Sequence, residues 1–229
     1  MNWREHYCKA VTFSYDDGVT QDVRFVDMLN RYHLKGTFNL NSGIGYEDQV
    51  WVCKGVEIHR CHREMYKNLY HGHEISVHTL NHLNLYELSD KEQIAYEILE
   101  DRKNLEQIFS APIVGMAYPF GGYQDTVLEI LRENHFQYAR TTRSSYSFEE
   151  QTDLLTYAPT CHHNDKRLME LAHRLVESEP DRPQVFCVWG HSYEFDVDGT
   201  WEMMEEFCRY ISNREDIFYG TNQEVLGGS

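Results

Sequence analysis

Short runs of β-branched and aromatic residues alternate with amphipathic stretches of helical length along this chain, and few architectures accommodate that order. The strand candidates are residues 10–15 (AVTFSY), 37–40, 73–77, 113–117, 136–139, 154–157, 184–189 and 217–219. Helices are expected over residues 21–34, ending near Gly36, and over 57–70, 90–109, 124–134, 165–178 and 199–212. The clearest is 90–109. Ser89 can cap it, Glu92 completes a capping box, and Ile94, Ile98, Leu105 and Ile108 supply an apolar stripe. Strands separated by helices imply a parallel sheet, either open or closed into a barrel. Such sheets bind ligands at the carboxyl ends of their strands, so chemistry is expected in the residues that follow each strand.

With 229 residues, no internal repeats and no Pro/Gly linker, the whole chain is expected to form one α/β domain. The charge balance narrows the partners. Thirty-seven acidic residues against 21 basic ones give a net charge of −16, a field that repels phosphate backbones and anionic lipid surfaces. Neither a nucleic acid nor a membrane partner is therefore expected, although a local basic pocket could override the average. The first residues, MNWREHYCKAVTFSY, carry no apolar stretch, and the six cysteines show no close paired spacing. These features lead to the expectation of a cytoplasmic chain with free thiols.

Several strand ends carry residues suited to catalysis. The first candidate strand runs into Asp16-Asp17-Gly18, two carboxylates pointing different ways, although Asp-Gly is also ordinary turn chemistry. The third ends in His78-Thr79-Leu80-Asn81-His82. If the chain turns helical there, residues four apart share a face and both imidazoles can reach one ion. With Asp17 they form a two-histidine, one-carboxylate set that leaves positions open for water and substrate. This donor set suits Zn²⁺ best, with Co, Ni or Fe compatible. The fourth runs into Ala117-Tyr118-Pro119-Phe120-Gly121-Gly122, whose turn can expose a backbone N–H as an oxyanion donor. The run over residues 184–189 ends in Trp189-Gly190-His191, which offers a general acid or a merely structural histidine.

In this order the pieces resemble the polysaccharide deacetylase family, also called the NodB-homology domain or carbohydrate esterase family four. Ser14-Tyr15-Asp16-Asp17-Gly18 is similar to its first motif and His78-Thr79-Leu80-Asn81-His82 to its second. Gly36-Thr37-Phe38 and Gly72-His73-Glu74-Ile75 resemble the flanking segments. The resemblance implies a distorted (β/α) barrel of about seven parallel strands that deacetylates a small or oligomeric acetylated saccharide. It implies Asp16 as general base and Asp17, His78 and His82 as metal ligands. Phe120 would offer its N–H to the oxyanion, and His191 would be the general acid. Three departures stand out. Ala117 occupies the place of a family arginine that pairs with the catalytic aspartate, so Arg140 or Arg143 is expected to supply that charge. No copy of the motif that tunes the acid histidine is evident, leaving Asp165 or Asp196 as substitutes. Trp189 replaces a leucine and would reshape the acetyl pocket. Tyr118, Pro119, Trp189 and Arg140 are expected to line the substrate cleft, and His162 and His163 to be structural or surface residues. Two alternatives remain open on the same fold: a hydrolase of small non-peptide amides, and a catalytically silent metal-binding relative.

Overall fold

The computed structural model describes residues 2–227. Its strands, in chain order, are β1 (Lys9–Asp16), β2 (Gly36–Leu40), β3 (Trp51–Cys53), β4 (Val56–Ile58), β5 (Glu74–Val77), β6 (Gly115–Ala117), β7 (Tyr138–Arg140), β8 (Cys161–His162), β9 (Gln184–Gly190) and β10 (Ile217–Tyr219). All but β3 and β4 join one parallel sheet, ordered β7-β6-β5-β2-β1-β9-β8, with β10 also paired to β1. Every residue of β1 is buried, as a central parallel strand covered on both faces requires. One side of β1 is shared: β10 pairs Lys9–Val11 and β2 pairs Phe13–Asp16.

The sheet curls, and residues 157–163 bridge its two edges. Tyr157 exchanges backbone hydrogen bonds with β7: its N–H donates to Ala139 O at 3.0 Å, and Thr141 N–H donates to its carbonyl at 2.8 Å. Thr160 and His163 then donate their N–H groups to Cys187 and Trp189 of β9, each at 2.9 Å. The result is a distorted barrel with seven strands in continuous order, the form that the family resemblance implied; the strand–helix alternation had left an open or a closed sheet.

Around it lie α1 (Asp22–Arg31), α2 (Tyr66–Leu69), α3 (Lys91–Phe109), α4 (Asp125–Glu133), α5 (Leu168–Glu177), α6 (Glu194–Asp198), α7 (Trp201–Ile211) and α8 (Asn222–Leu226). α1 shows why they pack. It buries Phe25, Val26, Met28 and Leu29, with the Phe25 ring edge-on to Phe13 of β1 and Phe38 of β2. Each such side chain contributes about 1.5–3 kcal/mol of burial. Among the described residues no helix is long and apolar enough to cross a membrane, and all six cysteines are free.

Three local expectations are corrected. Residues 57–70 are not one helix. They complete the β3–β4 hairpin, whose Lys54-Gly55 turn takes φ of 47° and 88°, and then form a 3₁₀ turn and the short α2. Such a left-handed two-residue turn matches the twist of a hairpin and overrides the weak helical periodicity. Residues 154–157 are mostly a 3₁₀ turn, because Asp153 caps it by accepting Leu155 N–H at 3.1 Å, leaving only Tyr157 to pair. Finally, α3 is capped by Asp90, which accepts Glu92 N–H at 2.9 Å, and not by Ser89.

Candidate active site

The carboxyl ends of β1, β5 and β9 and the turn after β6 converge on a cavity of about 670 Å³. Asp17 follows β1 directly with φ of 83°, a left-handed conformation uncommon for a residue with a side chain. Residues 78–82 are not helical. They form a tight turn in which Thr79 and His82 have φ of 62° and 56°, so the two imidazoles meet through backbone reversal and not through a helix face. α3 holds that turn. Asp101 accepts Ser42 N–H at 2.7 Å and His78 N–H at 3.0 Å, while Glu97 accepts both Asn81 N–H and its side-chain amide.

Asp17 Oδ1 lies 3.3 Å from His82 Nε2 and 3.8 Å from His78 Nε2. Metal–ligand bonds of about 2.0–2.2 Å in tetrahedral geometry separate ligand atoms by about 3.3–3.6 Å, so the three side chains fit a divalent ion. Two further features agree. His78 donates its Nδ1 proton to Ala117 O at 2.8 Å, which turns the Nε2 lone pair toward Asp17. Asp17 Oδ1 itself is buried and receives no protein hydrogen bond. Burial dominates the titration of both imidazoles, pushing His78 down to about 4 and lowering His82, so both are neutral at pH 7, the form that can ligate a metal. Burial would raise Asp17, but Arg60 and the surrounding histidines outweigh it and hold the carboxyl well below its usual range.

Asp16 is placed differently. Burial opposes its charge, yet the Arg140 guanidinium grips both its oxygens and lowers it on balance. Asn39 Nδ2 adds a bond to Oδ1 at 2.8 Å. Arg140 thus fills the vacancy left by Ala117, and Arg143 does not. This also corrects the expectation that Arg140 lines the cleft: it is fully buried beneath Trp189, 4.7 Å from the ring centre, and spends its donors on Asp16, Ser14 and Thr141. Tyr118 and Pro119 are likewise buried and absent from the cavity wall, Tyr118 because its hydroxyl donates to Leu155 O at 2.7 Å. Trp189 does line the cavity, joined by Trp51 and Tyr193, for which neither motif nor periodicity gave a sign. Phe120 takes φ of 59°. The next N–H, of Gly121, is spent on Tyr118 O, whereas Phe120 N–H has no acceptor among the described residues.

His191 Nε2 lies 3.9 Å from Asp16 Oδ2, across the cavity from the metal-type set. Its Nδ1 is 3.3 Å from Glu194 Oε2, one turn later at the start of α6. Burial disfavours its charge, but Glu194, Asp17 and Asp16 overcome that and push it up to about 9. Glu194 is therefore the carboxylate beside His191, the place expected for Asp165 or Asp196. Asp165 is engaged with Tyr146 and Arg167, and Asp196 with Gln21 and Trp201. The i, i+3 spacing of His191 and Glu194 was the available signal, readable only once a helical turn is known to begin there. His162 and His163 also reach Glu194 Oε2, at 3.1 and 3.3 Å. The spacing of His162, His191 and Glu194 could itself suit a cation. However, His162 Nδ1 accepts Asn164 N–H at 3.1 Å, so its Nε2 carries the proton and donates to Glu194 instead of offering a lone pair.

The family model described as polysaccharide deacetylase matches residues 4–139. The chain belongs to that family. A peptidoglycan-N-acetylglucosamine deacetylase from Bacillus cereus is 30% identical over 132 residues, covering 56% of this chain and 54% of that protein. The chain spans about half the length of the curated relatives it matches. Among solved structures, a candidate polysaccharide deacetylase from Mycobacterium smegmatis superimposes with a TM-score of 0.68 at 14% identity, covering 99% of this chain and 91% of that one. A family 4 carbohydrate esterase from Streptomyces lividans, in complex with acetate, gives 0.61 at 11% identity, with 96% of each chain covered. At these identities the two structures speak for the fold.

Proposed function

We propose that the chain is a divalent-metal-dependent deacetylase that hydrolyses an N- or O-linked acetyl group on a saccharide. The observation that carries this is the presence of an Asp17–His78–His82 donor set, Asp16 and His191 in one cavity of a chain from this family. A divalent ion on those three side chains supplies the positive charge that lowers the pKa of a water and polarises the acetyl carbonyl. Zn²⁺ best suits two imidazoles and a carboxylate, and Co, Ni and Fe are compatible.

The chain's own residues perform the rest. Asp16, kept ionised by Arg140, takes a proton from the attacking water. Phe120 N–H donates to the oxyanion that forms as the carbonyl becomes tetrahedral. His191, protonated while Glu194 faces its Nδ1, delivers a proton to the departing sugar nitrogen or oxygen. Trp189, Trp51 and Tyr193 supply apolar surface for a sugar ring and exclude water. The cavity of about 670 Å³ is large enough for a sugar unit.

Metal binding tests the donor set directly. Calorimetric titration of stripped protein with Zn²⁺ is expected to give one tight site per chain. His82→Gln or Asp17→Asn should weaken it at least about a hundredfold. Undiminished binding by both variants would put the metal elsewhere.

A further inference from the structure

Arg60 stands in the wall of the same cavity and has no part in the mechanism above. It follows the β3–β4 hairpin, and its backbone bridges to Val19. Its side chain is 4% exposed. Nη1 donates to the Asp17 backbone carbonyl at 2.9 Å and sits 3.0 Å from Asp17 Oδ1. The guanidinium rests over the Trp51 ring, 5.0 Å from its centre, and Trp51 is braced edge-on by Tyr193. Nε is buried with no partner. A guanidinium offers five N–H groups, and this one makes a single hydrogen bond.

Buried charges at the cavity pair off: Asp16 with Arg140, and Asp17 with Arg60. A divalent cation on Asp17 would leave surplus positive charge there, inside a chain of net charge −16. Apolar walls strengthen such an imbalance, because charges interact more strongly out of bulk water. The same cation competes with Arg60 for Asp17 Oδ1 and repels the guanidinium. Arg60 then faces the cavity from its Trp51 shelf with donors unspent. Its planar fork is matched to a carboxylate or phosphate.

We propose that Arg60 is a specificity residue that binds an anionic group, a carboxylate or a phosphate, on the acetylated sugar this site accepts. This rests on the deacetylase reading, which it narrows to acidic acetylated sugars. The residues that carry the reaction serve neutral and acidic substrates alike, which leaves the choice to Arg60.

The test uses glucosamine, its 6-carboxylate and its 6-phosphate as ligands that do not turn over. Binding is followed by tryptophan fluorescence in zinc-loaded and zinc-free protein. Zinc-loaded wild type is expected to bind at least one anion at least tenfold more tightly than glucosamine, and the preferred anion identifies the group. The preference should fall below about threefold in Arg60→Gln and in zinc-free wild type, with Arg60→Lys retaining part of it. A merely structural Arg60 would shift all three affinities together and leave their ratio unchanged. Equal binding of all three by zinc-loaded wild type, or a full preference retained in Arg60→Gln, overturns the proposal. Should Arg60→Gln fail to fold, the ratio in Arg60→Lys and in zinc-free wild type decides it. Zinc-dependent acetate release from N-acetylglucosamine with no anion preference removes this inference alone. No zinc-dependent acetate release from any N- or O-acetylated sugar removes the deacetylase reading, and the binding ratios still decide the role of Arg60.

Discussion

Asp16 and Asp17 are adjacent and chemically alike, and their neighbours set them to different tasks. Arg140 and Asn39 occupy the oxygens of Asp16, while Asp17 Oδ1 is left free of hydrogen bonds between two neutral imidazoles. Arg140→Gln leaves the Asp16 carboxylate buried and unpaired, which costs about 3–5 kcal/mol at pH 8. Asp16 is lowered in the wild type, so its contribution is present above its unfolded pKa and lost only as pH falls through the depressed folded value. In the variant, burial raises Asp16, and protonation relieves it earlier. The Tm gap between the two metal-free proteins should therefore narrow from pH 8 to pH 5, and a constant gap would contradict the pairing. His191 titrates in the opposite sense. Burial opposes its charge, yet Glu194 beside its Nδ1 raises its pKa, so a general-acid role predicts activity that falls as pH rises through the raised value. Glu194→Gln should move this alkaline limb of the rate profile to lower pH, and an unmoved limb would exclude Glu194 from positioning His191. The motif residues were legible because each follows its strand within a few positions. The cleft wall was not: Tyr118 and Pro119 share a motif with Phe120 but point inward, and Trp51 comes from a segment with no local signal.

At the scale of elements, the site depends on a helix that never touches the cavity. α3 carries Asp101 and Glu97 on the face that also buries Ile94, Ile98 and Leu105, and these carboxylates hold the 78–82 turn. Their polarity interrupts an apolar stripe, and that was the one sequence sign of their role. Asp101→Ala leaves Ser42 N–H without an acceptor and loosens the His78 backbone. It should cost about 2–4 kcal/mol by chemical denaturation and weaken Zn²⁺ binding. Stability lost without any change in Zn²⁺ affinity would show that the turn holds itself. The Pro119–Gly121 turn is equally constrained. Gly121 has φ of 77°, and a Cβ there would lie 2.2 Å from Thr142 Oγ1 and 2.9 Å from Thr142 N. Gly121→Ala must move the turn that presents Phe120 N–H, so kcat should fall by at least tenfold with KM changed less. A matching fall in the Zn²⁺ affinity of Gly121→Ala, which does not depend on Phe120, would point to general damage instead.

For the whole molecule, the parallel sheet followed from the alternation of strand and helix, which is a property of local sequence, whereas the strand order is seen only in the fold. Closure of the barrel by residues 157–163 did not follow either, because it depends on one stretch meeting two distant edges, Ala139 on one side and Cys187 and Trp189 on the other. The hairpin that brings Trp51 and Arg60 to the cavity is a long-range placement of the same kind. A site built from four strand ends should couple metal binding to global stability. Zn²⁺ at a hundredfold excess over its Kd is expected to add about 2.7 kcal/mol, seen as a rise in Tm that His82→Gln abolishes. Acetate release is the direct measure of metal-dependent deacetylation. Stripped protein, and protein reloaded with Zn²⁺ or Co²⁺, would be offered N- and O-acetylated mono- and oligosaccharides. The account predicts release only after reloading, lowered at least a hundredfold by Asp16→Asn. Release that ignores the metal, or none from any acetylated sugar by the reloaded protein, would contradict it.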